Sequence, residues 1–203
     1  MRHTRTAIFL VSTVLMAAAV GTATPPKTSE RYAFSTFREQ AGRVSVFVDG
    51  YPASLRTTDV YVPIPIAIAV MKNGKAIEFL PESFTLVDAK GNAVPAACYQ
   101  ELTRGYDKLG FDRSFTRMRP IVVGSYVADL RPIAASFYPP ADSGTRIPRV
   151  ELASFTWFTD TIYFPRPPAG LGGVLTLKVT IPGVDPVEVR FVANAEELAG
   201  RSK

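Results

Sequence analysis

The run VYVPIPIAIAV at residues 60–70 constrains this chain more than any other stretch. It puts a β-branched aliphatic at every even position: Val60, Val62, Ile64, Ile66, Ile68 and Val70. A period of two lines one face of a strand and does not fit a helix. The intervening positions hold Tyr61, Pro63, Pro65, Ala67, Ala69 and Met71, which are also largely apolar, so both faces are expected to be covered. Pro63 and Pro65 lack amide hydrogens, and residues two apart in a strand aim that group at the same edge. One edge of the first half therefore cannot join a ladder. The expectation is a core strand that starts at a sheet edge, or switches sheets, and is paired on both sides only after Pro65.

Other stretches repeat the pattern in shorter form. Val44, Val46 and Val48 alternate before the turn signal Asp49-Gly50. Lys72-Asn73-Gly74-Lys75 reads as a tight hairpin leading to a return strand at 77–80. The segment SFTLVD at 83–88 alternates and ends in the turn Ala89-Lys90-Gly91-Asn92. IVVGSYVADL at 121–130 reads as a strand, as do 132–138 and two short strands within 150–164 that bend at Asp160. Leu175, Leu177, Val179 and Ile181, followed by Val187, Val189 and Phe191, predict a hairpin with a buried odd face and a wet even face. The loops fall at 139–144 and at 165–173, where proline and glycine gather.

Residues 97–119 break the β pattern. Cys98, Leu102, Tyr106 and Leu109 form a helical stripe with Gly110 placed to end it, which buries the Cys98 thiol. Gly105 inside the stripe costs about 1 kcal/mol relative to alanine, so the helix needs packing to persist. The whole reads as an all-β, antiparallel β-sandwich with one short interrupting helix.

The alternating strand at 60–70, the Asn-Gly-Lys turn and SFTLVDAKGNAV together resemble the first half of immunoglobulin-like domains of secreted and envelope-attached bacterial proteins, over roughly residues 58–95. The resemblance implies an immunoglobulin-like sandwich topology and a role in binding or assembly. It transfers no functional residue, and the cysteine pair of antibody domains is missing.

The ends and the composition narrow the function. Arg2 and Arg5 precede AIFLVSTVLMAAAVG, a run shorter than the ~20 residues a membrane span needs, with small residues at 21–23. Residues 1–23 are therefore expected to be a cleavable signal peptide that sends the chain to the periplasm or outside the cell; kept, the same run is a single anchor. Residues 24–43 are expected to be a mobile leader whose Tyr32, Phe34 and Phe37 are the candidates to dock onto the domain, 44–193 one sandwich domain, and 194–203 a charged tail or one frayed helical turn. Loss of residues 1–23 lowers the formal net charge of +5 by two, and no block of like charge accompanies it, which argues against nucleic acid. Cys98 is the only cysteine, so an internal disulfide is excluded.

The only histidine is His3, inside that leading segment. The exported chain then lacks the imidazole of a Ser-His-Asp or Cys-His pair and of a His-ligated metal site. Asp107 and Asp112 are not embedded in a calcium loop, Gly170, Gly172 and Gly173 do not form a phosphate-binding fingerprint, and no Gly-x-Ser-x-Gly occurs. No cofactor or metal is expected.

What remains is binding. The segment YQELTRGYDKLGFDRSFTRMR at 99–119 interleaves cations with aromatics, and Arg104, Tyr106, Lys108, Arg113, Phe115 and Arg117 are the candidate partner-binding residues. The first expectation is a non-catalytic module of the cell envelope that holds a protein partner. The alternative is a glycan- or small-ligand-binding protein with Trp157, Tyr163 or Tyr106 as a stacking platform. A third is a carboxylate-dependent enzyme using two of Asp107, Asp112 and Asp160, which glycoside hydrolysis would require.

Overall fold

A computed structural model describes residues 27–139 and 146–200. The expected signal peptide at 1–23 and most of the 139–144 loop lie outside the described residues. The fold is mostly β, in several antiparallel sheets. Among the described residues twelve strands run in chain order: β1 Glu30–Arg31, β2 Thr36–Ala41, β3 Val44–Asp49, β4 Tyr61–Val70, β5 Ile77–Phe79, β6 Phe84–Val87, β7 Ala93–Pro95, β8 Arg131–Pro132, β9 Val150–Leu152, β10 Thr156–Pro165, β11 Val174–Ile181 and β12 Val184–Val192. Among the described residues three α-helices join them, α1 Tyr51–Ser54, α2 Tyr99–Gly105 and α3 Leu109–Met118, and α4 Ala195–Gly200 follows the last strand.

A six-stranded sheet has the order β1-β2-β3-β4-β10-β8, and a four-stranded sheet the order β12-β11-β6-β7. Every pairing in them is antiparallel except that of β8 with β10. β5 pairs with β9 in a third, two-stranded sheet. The even face of β4 meets Phe158, Ile162 and Phe164 of β10 and the odd positions of β11 and β12 in one core. Gly50 lets the two layers close up, because a Cβ there would stand 2.0 Å from the Val192 carbonyl oxygen.

The two prolines shape β4 as its sequence dictates. β10 pairs with all of it, from Tyr61 to Val70, whereas β3 pairs only with Ile66–Val70. Beside Pro63 and Pro65, where no ladder can form, the chain leaves β3 and turns into α1, which packs on β4. The odd face is covered as expected. Phe47, Ala67 and Ala69 lie under Ile121, Val123, Val127 and Leu130.

Several local expectations are corrected. Residues 36–41 fall within the expected leader, yet they form β2; Phe37, one of the docking candidates, lies in the core. Residues 121–130 are not a strand: Gly124 takes a φ of +47° and opens a single 3-10 turn, so the apolar side chains cover the sheet without pairing to it. β5 does not fold back on β4 but pairs with β9. The bend within 150–164 lies at Phe155, with a φ of +57°, and Asp160 sits inside β10. The interrupting helix is two helices: the chain goes extended at Tyr106, just after Gly105, and Gly110 lies inside α3. Cys98 is the exposed residue before α2, its thiol donating to Gln100 Oε1 over 3.1 Å, not a buried thiol. The last hairpin is as expected, with Leu175, Leu177, Val179, Val187, Val189 and Phe191 buried. α4 ends the described chain as a short helix, in line with the second of the two readings of that tail, and buries Leu198.

Candidate functional site

The residues 99–119 fold onto the outer, odd-numbered face of β4 and β10. Tyr106 is the anchor: its ring makes edge contacts with Tyr61 at 5.8 Å and Tyr163 at 5.7 Å. Its hydroxyl donates to Asp112 Oδ2 at 2.5 Å. Asp112 also takes the Arg56 guanidinium from the loop after α1. Arg56 Nε lies 3.4 Å from Asp59, whose other oxygen is 2.6 Å from Lys108 Nζ. Burial pushes the Asp112 carboxyl up, and the phenol and guanidinium pull against it. Burial likewise works against the Arg56 charge, but Asp112 outweighs it and leaves the guanidinium raised. The cluster pins α3 to the sheet.

On the far side of α3 an aromatic ladder stands between two cations. Arg119 lies 4.3 Å over the Tyr51 ring. Tyr51 stacks on Phe115 at 6.3 Å and Phe115 on Phe111 at 6.4 Å, with interplanar angles of 20° and 16°. Arg56 closes the row 5.0 Å over Phe111. Both guanidiniums are held from behind, Arg56 by Asp112 and Arg119 by Asp49 at 2.7 Å and Ser35 Oγ at 2.9 Å. An arginine over a ring face is attracted by the ring quadrupole, so the row is rigid although its outer edge is open. Phe111 is 59% exposed and Met118 78%.

The other side of α3 borders a cleft of about 420 Å³ against β10 and the segment after β8. Arg113, Thr116 and Arg117 form one wall; Trp157, Thr159, Asp160 and Thr161 form another. Trp157 is half-buried. β8 pairs only with Thr156 and Trp157, so beyond them β10 has an open edge. Asp160 bridges it: Oδ2 accepts from Phe137 N at 2.6 Å, and Oδ1 from Thr161 N at 2.9 Å and Ser136 Oγ at 3.1 Å. Burial raises its carboxyl to about 6, against the pull of those donors and of Arg113.

The six candidate residues thus separate. Tyr106 is buried and Lys108 is tied to Asp59; neither is an open contact. Phe115 is the middle rung of the ladder, Arg113 and Arg117 border the cleft, and Arg104 is exposed on α2. Of the three platform candidates, Tyr106 and Tyr163 are buried, while Trp157 borders the cleft. Among the described residues Asp160 is the only acid bordering it, with Asp112 committed to Arg56 and Asp107 exposed elsewhere. The sequence reading missed Tyr51, Arg56 and Arg119. The one signal was Asp49-Gly50-Tyr51-Pro52, which reads as a turn but also delivers the Asp49 carboxylate to Arg119.

Among the described residues no group of three or more His, Cys, Asp or Glu side chains is placed to hold a metal ion. No described helix is long and apolar enough to cross a membrane. No family model and no curated protein matches the chain. One solved structure, the yjhA protein from Bacillus subtilis, aligns with 70% of this chain and 76% of its own at 12% identity, with a TM-score of 0.35, a likeness too slight to carry an argument.

Proposed function

We propose that this chain is an exported, non-catalytic binding module of the cell envelope, immunoglobulin-like in architecture, whose protein partner docks on the open edge of the aromatic ladder. The ladder carries the reading. Exposed large apolar side chains on a soluble surface tend to mark contact sites, and here they are pre-ordered between anchored cations, so little freedom is lost on binding. The partly open Arg119 stands at one end of the strip and Arg56 at the other. A complementary partner therefore presents an apolar centre rimmed by acidic side chains. The two mainly antiparallel sheets that share one core support the sandwich part of the reading.

A photo-crosslinking residue placed at Phe111 or Met118, with a control at Thr180 on the wet face of β11, tests this in intact cells. A discrete adduct to an envelope protein at the first two sites and none at the third is expected. Equal labelling at all three, or none at any, overturns the docking face.

A further inference from the structure

The helical period of α3 puts Phe111, Phe115 and Met118 on one side and Arg113, Thr116 and Arg117 on the opposite one. None of the ladder residues borders the cleft, so a site there is independent of the docking face. We infer that the cleft between α3 and β10 binds an acidic sugar, a pyranose ring carrying a carboxylate.

Three features converge on that chemistry. The cleft volume of about 420 Å³ falls within the range of small-ligand sites, and it is walled by both apolar and polar groups. Trp157 packs partly against the Ile121 and Val123 cluster and remains half-open toward the cleft, which offers an indole surface to the C–H face of a sugar ring. Asp160 opposite α3 is an acceptor-only group when ionised. A carboxylate has about four acceptor positions, and the described donors Phe137 N, Thr161 N and Ser136 Oγ fill three. A ligand hydroxyl suits the remaining one.

The charge then selects among sugars. Arg117 borders the same space as Asp160 and brings a positive charge to it. Arg117 is exposed, and its planar fork matches a carboxylate in a two-bond contact. A neutral sugar uses the indole and Asp160 but leaves that fork unused. A simple carboxylate uses the fork alone. Only a ligand with both parts uses all three.

Trp157 is the sole tryptophan, so its emission reports on the cleft directly. Titrating the protein with glucuronate, glucose and acetate is expected to give a saturable change with glucuronate, at least ~10-fold weaker binding of glucose, and weaker binding still of acetate. Arg117→Met, an exposed substitution that leaves the core untouched, should bring glucuronate down to the level of glucose. Calorimetry on Trp157→Phe should show both sugars weakened and the ratio between them kept. The inference is overturned if neither sugar gives a saturable change, if acetate binds as tightly as glucuronate, or if Arg117→Met leaves the preference intact. None of these results alters crosslinking at Phe111, so the cleft and the docking face fail separately.

Discussion

Replacing Asp112 with asparagine tests how α3 is held. The Asp112 side chain is 5% exposed and that of Arg56 12%, so the pair is nearly out of water. Asparagine keeps the shape, and its carbonyl still accepts the Tyr106 hydroxyl. The negative charge facing Arg56 is gone. Breaking a buried pair from one side costs roughly 3–5 kcal/mol, because the other charge is left uncompensated. Here Asp59 remains, 3.4 Å from Arg56 Nε, but it is shared with Lys108. The cost should sit near the low end, about 3 kcal/mol.

Urea unfolding followed through Trp157 emission gives the measurement. With a slope of about 2 kcal/mol per molar for a domain of this size, the midpoint of Asp112→Asn should fall by about 1.5 M. The double variant Arg56→Met, Asp112→Leu removes both charges and should recover much of that loss. A midpoint shift below ~0.3 M, or a double variant as unstable as the sum of its singles, refutes the claim that an unpaired Arg56 is what the fold cannot accommodate.

Three further outcomes follow from other groups. Asp160 titrates near 6 in the fold against an ordinary value of 3.8, so ionising it opposes folding: stability from this group is full below about pH 4 and falls as pH rises through 6, by no more than roughly 3 kcal/mol, which urea midpoints at pH 4.5 and pH 7 on wild type and Asp160→Asn resolve. Tyr138 and Tyr163, which face the same region, are pushed upward by burial and stay neutral there. Asp88 behaves in the opposite sense: burial works to raise it, but Asn92, Ala169 and Lys90 donors hold it at about 2, so its contribution is present above pH 4 and lost as pH falls toward 2, and Asp88→Ala should flatten the acid limb of the melting temperature. Gly50→Ala drives a methyl into the Val192 carbonyl and should cost about 1–3 kcal/mol in urea midpoint, although its backbone angles suit alanine; an unchanged midpoint would show that β3 and β12 can move apart there.

The parts of this fold that were legible in the sequence are those where one local pattern decides. β4 needed only its even-numbered aliphatics and two prolines, and the hairpin of β11 and β12 only its alternation. β2 was missed because TFREQA holds one large apolar residue; Phe37 reaches the core, but the strand forms through its partner β3. Residues 121–130 misled for the converse reason. Their apolar side chains look like a strand's, yet they serve to roof Phe47, Ala67 and Ala69. In Asp88 the turn was legible and its function was not: the carboxylate that shapes 88–92 also reaches Ala169 in a distant loop.

The candidate site was legible as a segment and not as a geometry, and α3 shows why. Its ten residues carry cations and aromatics in a mixed text, and composition alone treats them as one surface. Folding separates them. Asp112, pinned by Arg56 and Tyr106, fixes the rotation of the helix about its axis. That rotation is what sends Phe111 and Met118 outward and Arg113 and Arg117 over β10. The partners that set it, Arg56 and Asp59, come from the loop between α1 and β4, and that loop exists because Pro63 and Pro65 deny β3 a longer ladder. The same two prolines that make β4 recognisable therefore also make room for the loop that orients α3.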